Sequence, residues 1–266
     1  MAKCISGLLG ALTLFLAGFQ GSCASAKPAA SPPGPFEAGT MEKRIVIATT
    51  SHDAKGISGE PTGAYLSEIA HPYDVFTRRG YKVEFASVRG GLIPLDGVQE
   101  ADTASQAFLA HHSSELEQSF PAQEIDPSRY EAIFFAGGHG AMWDLPDSIQ
   151  FARITSAIYQ RGGVVAAVCH GPAALVNVKL PSGVYLVSGK AVSAFSNEEE
   201  RAAKADTLVP FLLEDKLKER GALYSSAPMW QSKVIVSDRL VTGQNPASAA
   251  GVAEAVADLL EPDPKG

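Results

Sequence analysis

The chain has 266 residues, of which 45% are hydrophobic and 19% charged, with a formal net charge of -7. That balance suits one sizeable α/β core, and its acidity argues against a general nucleic-acid binder. Residues 1–26 differ from the rest. Lys3 gives a positive start, Leu8 to Phe19 is apolar, and Ala24-Ser25-Ala26 matches an A-x-A cleavage signal. A secretory signal peptide cut after Ala26, and a periplasmic location, are therefore expected. The apolar run is too short for a membrane span, so no stable membrane insertion is expected. The alternative is a lipid anchor at Cys23, but Gln20-Gly21-Ser22 lacks the leucine usual three residues before a lipoprotein cysteine. Residues 27–43 are rich in Ala, Pro, Ser and Gly and read as a flexible linker. One domain is expected over residues 44–262.

Arg44 to Thr50 is an apolar, β-rich run and the first expected strand, followed by a polar loop from Ser51 to Thr62. Gly63 to Arg79 has helical spacing, with Pro72 expected to kink or break it, and carries Glu68. Lys82 to Val88 reads as a second strand, and Gly90 to Gly97 as turns. Ala104 to Gln118 reads as a helix with Phe108 and Leu116 inward. His111 and His112 on it lack the spacing of a structural zinc site and are expected at the surface. Tyr130 to Ala136 is a buried strand ending in Gly137-Gly138-His139-Gly140, where backbone N–H groups can approach a bound group closely. Asp147 to Gln160 is an amphipathic helix. Beyond the next strand, Tyr185 to Val187 and Ala191 to Phe195 read as short β pieces. Ser196 to Glu200 reads as an acidic helix start, Thr207 to Arg220 and Pro246 to Leu260 as helices, and Lys233 to Ser237 and Leu240 to Thr242 as strands.

Chemistry concentrates at RGGVVAAVCHGPAA, from Arg161 to Ala174. Val164 to Val168 reads as a strand buried on both faces, which puts Cys169 at its carboxyl end. Gly171 allows a tight reversal, and Pro172 is preset for the first turn of a helix. A cysteine in such an elbow is expected to be exposed, with its pKa lowered by the helix N-terminus. With Cys4 and Cys23 in the leader, Cys169 is the one cysteine of the expected mature chain, an unpaired thiol of the reactive kind.

All six histidines occur at or before His170, which excludes a papain-like site or an ordinary glutamine-amidotransferase site with a base far downstream. His170 is the nearest partner for the thiol, and the acidic cluster ending at Glu200 could orient its ring. No G-x-S-x-G, P-loop or complete G-x-G-x-x-G follows a strand.

Five blocks then carry a resemblance: TGAYLSEIAHPY from Thr62, FFAGGHGAMWDLP from Phe134, AVCHGPAAL from Ala167, GKAVSAFSNEEE from Gly189 and TGQNPASA from Thr242. Together they resemble the ThiJ/PfpI superfamily, related to class I glutamine amidotransferases, and within it the heat-shock-31-type, glutathione-independent glyoxalase III branch. The resemblance implies a flavodoxin-like α/β sandwich with a mostly parallel central sheet and a cysteine elbow, usually dimeric. It implies Cys169 as nucleophile, His170 and Glu200 as its triad partners, and Glu68 as acid/base. Gly137, Gly138, His139 and Gly171 are implied at the oxyanion and substrate site, with no metal and no cofactor. The implied reaction is conversion of a small aldehyde such as methylglyoxal to a 2-hydroxy acid. The alternatives are a holdase chaperone, a protein deglycase and a redox-sensing thiol protein. Ser193-Ala194 departs from the Thr-Gly usual before Phe195, and the export signal departs from the cytoplasmic members.

Overall fold

A computed structural model describes residues 42–261. The leader, and the linker up to residue 41, lie outside the described residues. In chain order the elements are β1 (Arg44–Thr49), β2 (Ala64–Tyr65), α1 (Ser67–Arg78), β3 (Lys82–Ser87), β4 (Leu95–Asp96) and α2 (Thr103–Glu117). They continue with β5 (Phe120–Pro121), β6 (Ala132–Phe135), α3 (Ala141–Asp144), α4 (Ile149–Gln160), β7 (Val164–Val168) and β8 (Ala191–Val192). The last are α5 (Asn197–Ala202), α6 (Leu213–Glu219), β9 (Leu223–Tyr224), β10 (Val234–Ser237), β11 (Leu240–Gly243) and α7 (Ala249–Leu260).

The central sheet runs β10-β11-β7-β6-β1-β3-β5, parallel except for the β10–β11 pair. Successive side chains of a strand face opposite ways, so its central strands feed two cores. Val46, Ile133, Phe135 and Val165 face one layer with Phe151, Ile154 and Ile158 of α4. Ile45, Ile47, Phe134 and Val164 face the other, with Ile69 and Phe76 of α1 and Val252 and Val256 of α7. Each such buried Ile, Val or Phe contributes roughly 1.5–3 kcal/mol. This is an α/β sandwich of the flavodoxin-like kind, with β7 and β6 delivering their carboxyl ends side by side.

Several expectations change. Pro72 does not break α1, although it cannot donate to the carbonyl of Glu68. The expected helix from Thr207 shrinks to α6, because Pro210 cannot sit in a helix interior and Leu212 is extended. Tyr185 makes only an isolated bridge to Lys179. After Cys169, Gly171–Leu175 forms a five-residue 3-10 helix, not a full α-helix. Among the described residues no helix is long and apolar enough to cross a membrane.

Candidate active site

Cys169 follows β7 with φ +59°, a left-handed conformation costly for a side chain with a Cβ. Its neighbours over-determine it: its N–H donates to the Gly243 carbonyl at 3.0 Å, and its carbonyl accepts from Phe195 N–H at 2.9 Å. Holding that conformation costs roughly 1–3 kcal/mol. Gly138, at φ +93°, aims its N–H at that thiol from the end of β6, and the His170 N–H reaches it as well.

The sequence expectation of an exposed thiol with a lowered pKa is corrected. Cys169 is 3% exposed, and burial pushes its pKa well above the ordinary value, with the Glu68 charge adding to the rise. The two amides oppose this and lose. A short 3-10 turn has too few aligned peptides to supply the field expected of a long helix.

His170 places Nδ1 3.4 Å from Cys169 Sγ and Nε2 2.9 Å from Glu200 Oε2. Burial, then the neighbouring His139 ring, lower its pKa, so the ring is neutral near pH 7. A neutral ring with its proton on Nε2 donates to Glu200 and leaves the Nδ1 lone pair for the thiol. Glu200 itself would rise on burial, but His170 and His139 outweigh that and hold it down to about 2. His139 Nε2 lies 2.9 Å from its other oxygen, Oε1.

Glu200 is aimed by the start of α5. Ser196 and Glu199 form a reciprocal capping box there, with Ser196 Oγ accepting from Glu199 N–H at 3.1 Å and Glu199 Oε2 accepting from Ser196 N–H at 3.0 Å. Glu199 Oε1 also accepts from Asn245 Nδ2 at 2.8 Å and Trp230 N–H at 2.9 Å. One buried carboxylate thus ties the Glu200 turn to two other segments.

Glu68 arrives in the first turn of α1, wholly buried. The Tyr65 N–H bonds to the Gly137 carbonyl at 3.0 Å, and Gly137 N–H donates to Glu68 Oε2 at 2.7 Å. A Cβ on Gly137 would stand 2.7 Å from that same oxygen. Oε1 is buried without a conventional partner, and the carboxyl contacts the Cys169 thiol. Burial raises Glu68 to about 8, so it holds a proton at neutral pH.

Above these groups lies a cleft of about 380 Å³, lined by Gly138, His139, Cys169 and His170 from the predicted set. Gly171 does not line it. A Cβ there would meet the Phe135 carbonyl at 2.3 Å, so this glycine serves close packing on β6, and Gly137 serves Glu68. His139, expected at the oxyanion and substrate site, faces the cleft and also supports Glu200.

The rest of the cleft wall, outside the expected site residues, is Lys55, Tyr65, Asp96, Glu100, Phe195, Trp230 and Pro246. Only Trp230, a bulky apolar residue within a polar loop, carried a signal that could have flagged it. A larger groove of about 650 Å³, along α4, contains no cysteine or histidine. His139, His170 and Glu200 offer ligand atoms within 4.8 Å of one another, a spacing a metal ion could use, although the sequence reading assigns none. Their observed arrangement is one carboxylate holding an imidazole on each oxygen.

The fold and this cleft define a cysteine-centred α/β protein with an acid on one side of the sulfur and an imidazole on the other. The chain belongs to the DJ-1/PfpI family, whose profile matches residues 61–259. It is 33% identical over 238 residues to glutathione-independent glyoxalase HSP31 of Saccharomyces cerevisiae, covering 82% of this chain and 98% of that one. Candida albicans glyoxalase 3 is 30% identical over 236 residues, covering the same shares. Among solved structures, Francisella tularensis Rapid Encystment Protein 24 KDa superposes with a TM-score of 0.81 at 41% identity, covering 83% of this chain and all of that one. Glyoxalase III of Candida albicans gives 0.75 at 29%, covering 82% and 98%.

Proposed function

We propose that the protein is a glutathione-independent glyoxalase that converts 2-oxoaldehydes of the methylglyoxal type to 2-hydroxy acids. The observation that carries the reading is the buried Cys169 sulfur set between a protonated Glu68 and a neutral His170. The names and near-complete coverage of the relatives support it.

The chemistry follows from those protonation states. Cys169 sulfur attacks the aldehyde carbon while His170 Nδ1 takes the thiol proton, and the Gly138 and His170 amides hold the alkoxide. His170 returns that proton to the oxygen, completing a hemithioacetal. It next removes the C1 hydrogen as Glu68 protonates the ketone oxygen at C2, giving an enediol. His170 then protonates C2 and Glu68 takes the proton from the C1 hydroxyl, leaving a 2-hydroxyacyl thioester. Water attacks that carbonyl, the C–S bond breaks, and the acid leaves with both groups restored. Glu200 steadies the imidazolium in each step.

Export through residues 1–26 belongs to the same proposal and rests on Lys3, the apolar run and the Ala24-Ser25-Ala26 signal, whereas action as a homodimer rests on the sequence resemblance. The test of activity is lactate formation from methylglyoxal without glutathione, for wild type and Cys169→Ser. Wild-type turnover that Cys169→Ser abolishes is the expected result. Lactate formed equally by both overturns the reading.

A further inference from the structure

The cleft is larger than a three-carbon aldehyde needs. About 380 Å³ lies in the range of pockets that enclose much bigger ligands, roughly 300–1,000 Å³. Its far wall is Trp230, a large apolar side chain left 52% exposed. Its backbone is left-handed, at φ +65°, where a bulky residue is an outlier. Yet it is anchored, because its N–H donates to Glu199, the buried carboxylate that also organises the Glu200 turn. Its ring stands 5.8 Å from Phe195, and Phe195 stands 4.3 Å from the His170 ring. An aromatic run therefore leads from the rim down to the triad. Tyr65 lines the same cleft, as do the carboxylates of Asp96 and Glu100 and, as the one Lys or Arg among the described lining residues, Lys55.

Resting on the glyoxalase reading, we infer that the cleft selects 2-oxoaldehydes bearing a flat aromatic substituent without negative charge, with Trp230 as the specificity-determining wall. Flat rings gain most from aromatic faces that are already held in place. A methyl group bound at Cys169 would leave those faces wet. Two carboxylates against one lysine repel an anionic substituent.

The test compares kcat/KM of the full chain for phenylglyoxal, 4-carboxyphenylglyoxal and methylglyoxal, in wild type, Trp230→Ala and Trp230→Phe. Wild type is expected to prefer phenylglyoxal over methylglyoxal by about ten-fold or more. Trp230→Ala should reduce that ratio about ten-fold, Trp230→Phe should retain most of it, and the carboxylated substrate should be disfavoured. A ratio unchanged in Trp230→Ala, or equal use of the carboxylated aldehyde, overturns the inference and leaves the glyoxalase reading intact. If neither phenylglyoxal nor methylglyoxal turns over, the glyoxalase reading fails, and the cleft is read by binding alone. Cys169→Ser should then show stronger Trp230 quenching by mandelate than by lactate, judged against Cys169→Ser with Trp230→Ala. Equal quenching overturns the inference too.

Discussion

His170 stands 2.9 Å from Glu200 through Nε2 and turns its other nitrogen to the Cys169 sulfur at 3.4 Å. That one relationship fixes the tautomer of the ring, and with it the direction in which the thiol proton travels. Replacing Glu200 with Gln leaves a partner that can present its N–H₂ to the ring and stabilise the wrong tautomer. We expect kcat to fall about 10²- to 10⁴-fold with a smaller change in KM, measured by steady-state lactate formation.

Glu68 acts as an acid, and burial places its pKa at about 8. Turnover should therefore fall as pH rises past about 8, where the carboxyl loses its proton. Glu68→Gln cannot donate, so it should be slower by about 10²- to 10⁴-fold, and its pH profile should lack that descending limb. A limb of the same position and depth in the variant would assign it to another group.

The same carboxyl predicts a stability trend. Its pKa is about 8 when folded and 4.5 ordinarily, so between those values the folded chain holds a proton that the unfolded chain has released. Stability is thus greatest below about pH 4.5 with respect to this group, and is lost as pH rises towards 8. Urea titrations should show wild type losing on the order of a few kcal/mol relative to Glu68→Gln across that window.

Ser196 caps α5, and its hydroxyl also donates to Glu199 Oε2 at 3.0 Å. Ser196→Ala should lower unfolding free energy by about 1 kcal/mol. It should also lower kcat, because the turn that loosens is the one carrying Glu200. Chemical denaturation and turnover measured on the same sample check both.

Much of this arrangement was legible in the residues. The run Val164 to Val168 announced a strand buried on both faces, and with it the place of Cys169. What was not legible was depth. The seal over the thiol comes from Gly137 and Gly138 beyond β6 and from the Tyr65 segment before α1, which pattern along one stretch cannot bring together. Local reasoning therefore credited the elbow with lowering the thiol pKa, where burial raises it. Gly171 shows a related limit: a glycine required by a neighbouring strand looks, in sequence, the same as one that binds a ligand. Trp230 sits in a segment without periodicity, and its contact with Glu199 spans 31 positions of chain.

The most direct measurement is the mass of the full chain and of its peptides after rapid quenching with methylglyoxal. The mechanism predicts one aldehyde equivalent on Cys169, accumulating further in Glu68→Gln, where proton transfer is slowed after the carbon–sulfur bond has formed. Turnover with no adduct on Cys169 in either protein, or lactate formed by Cys169→Ser at the wild-type rate, would contradict it.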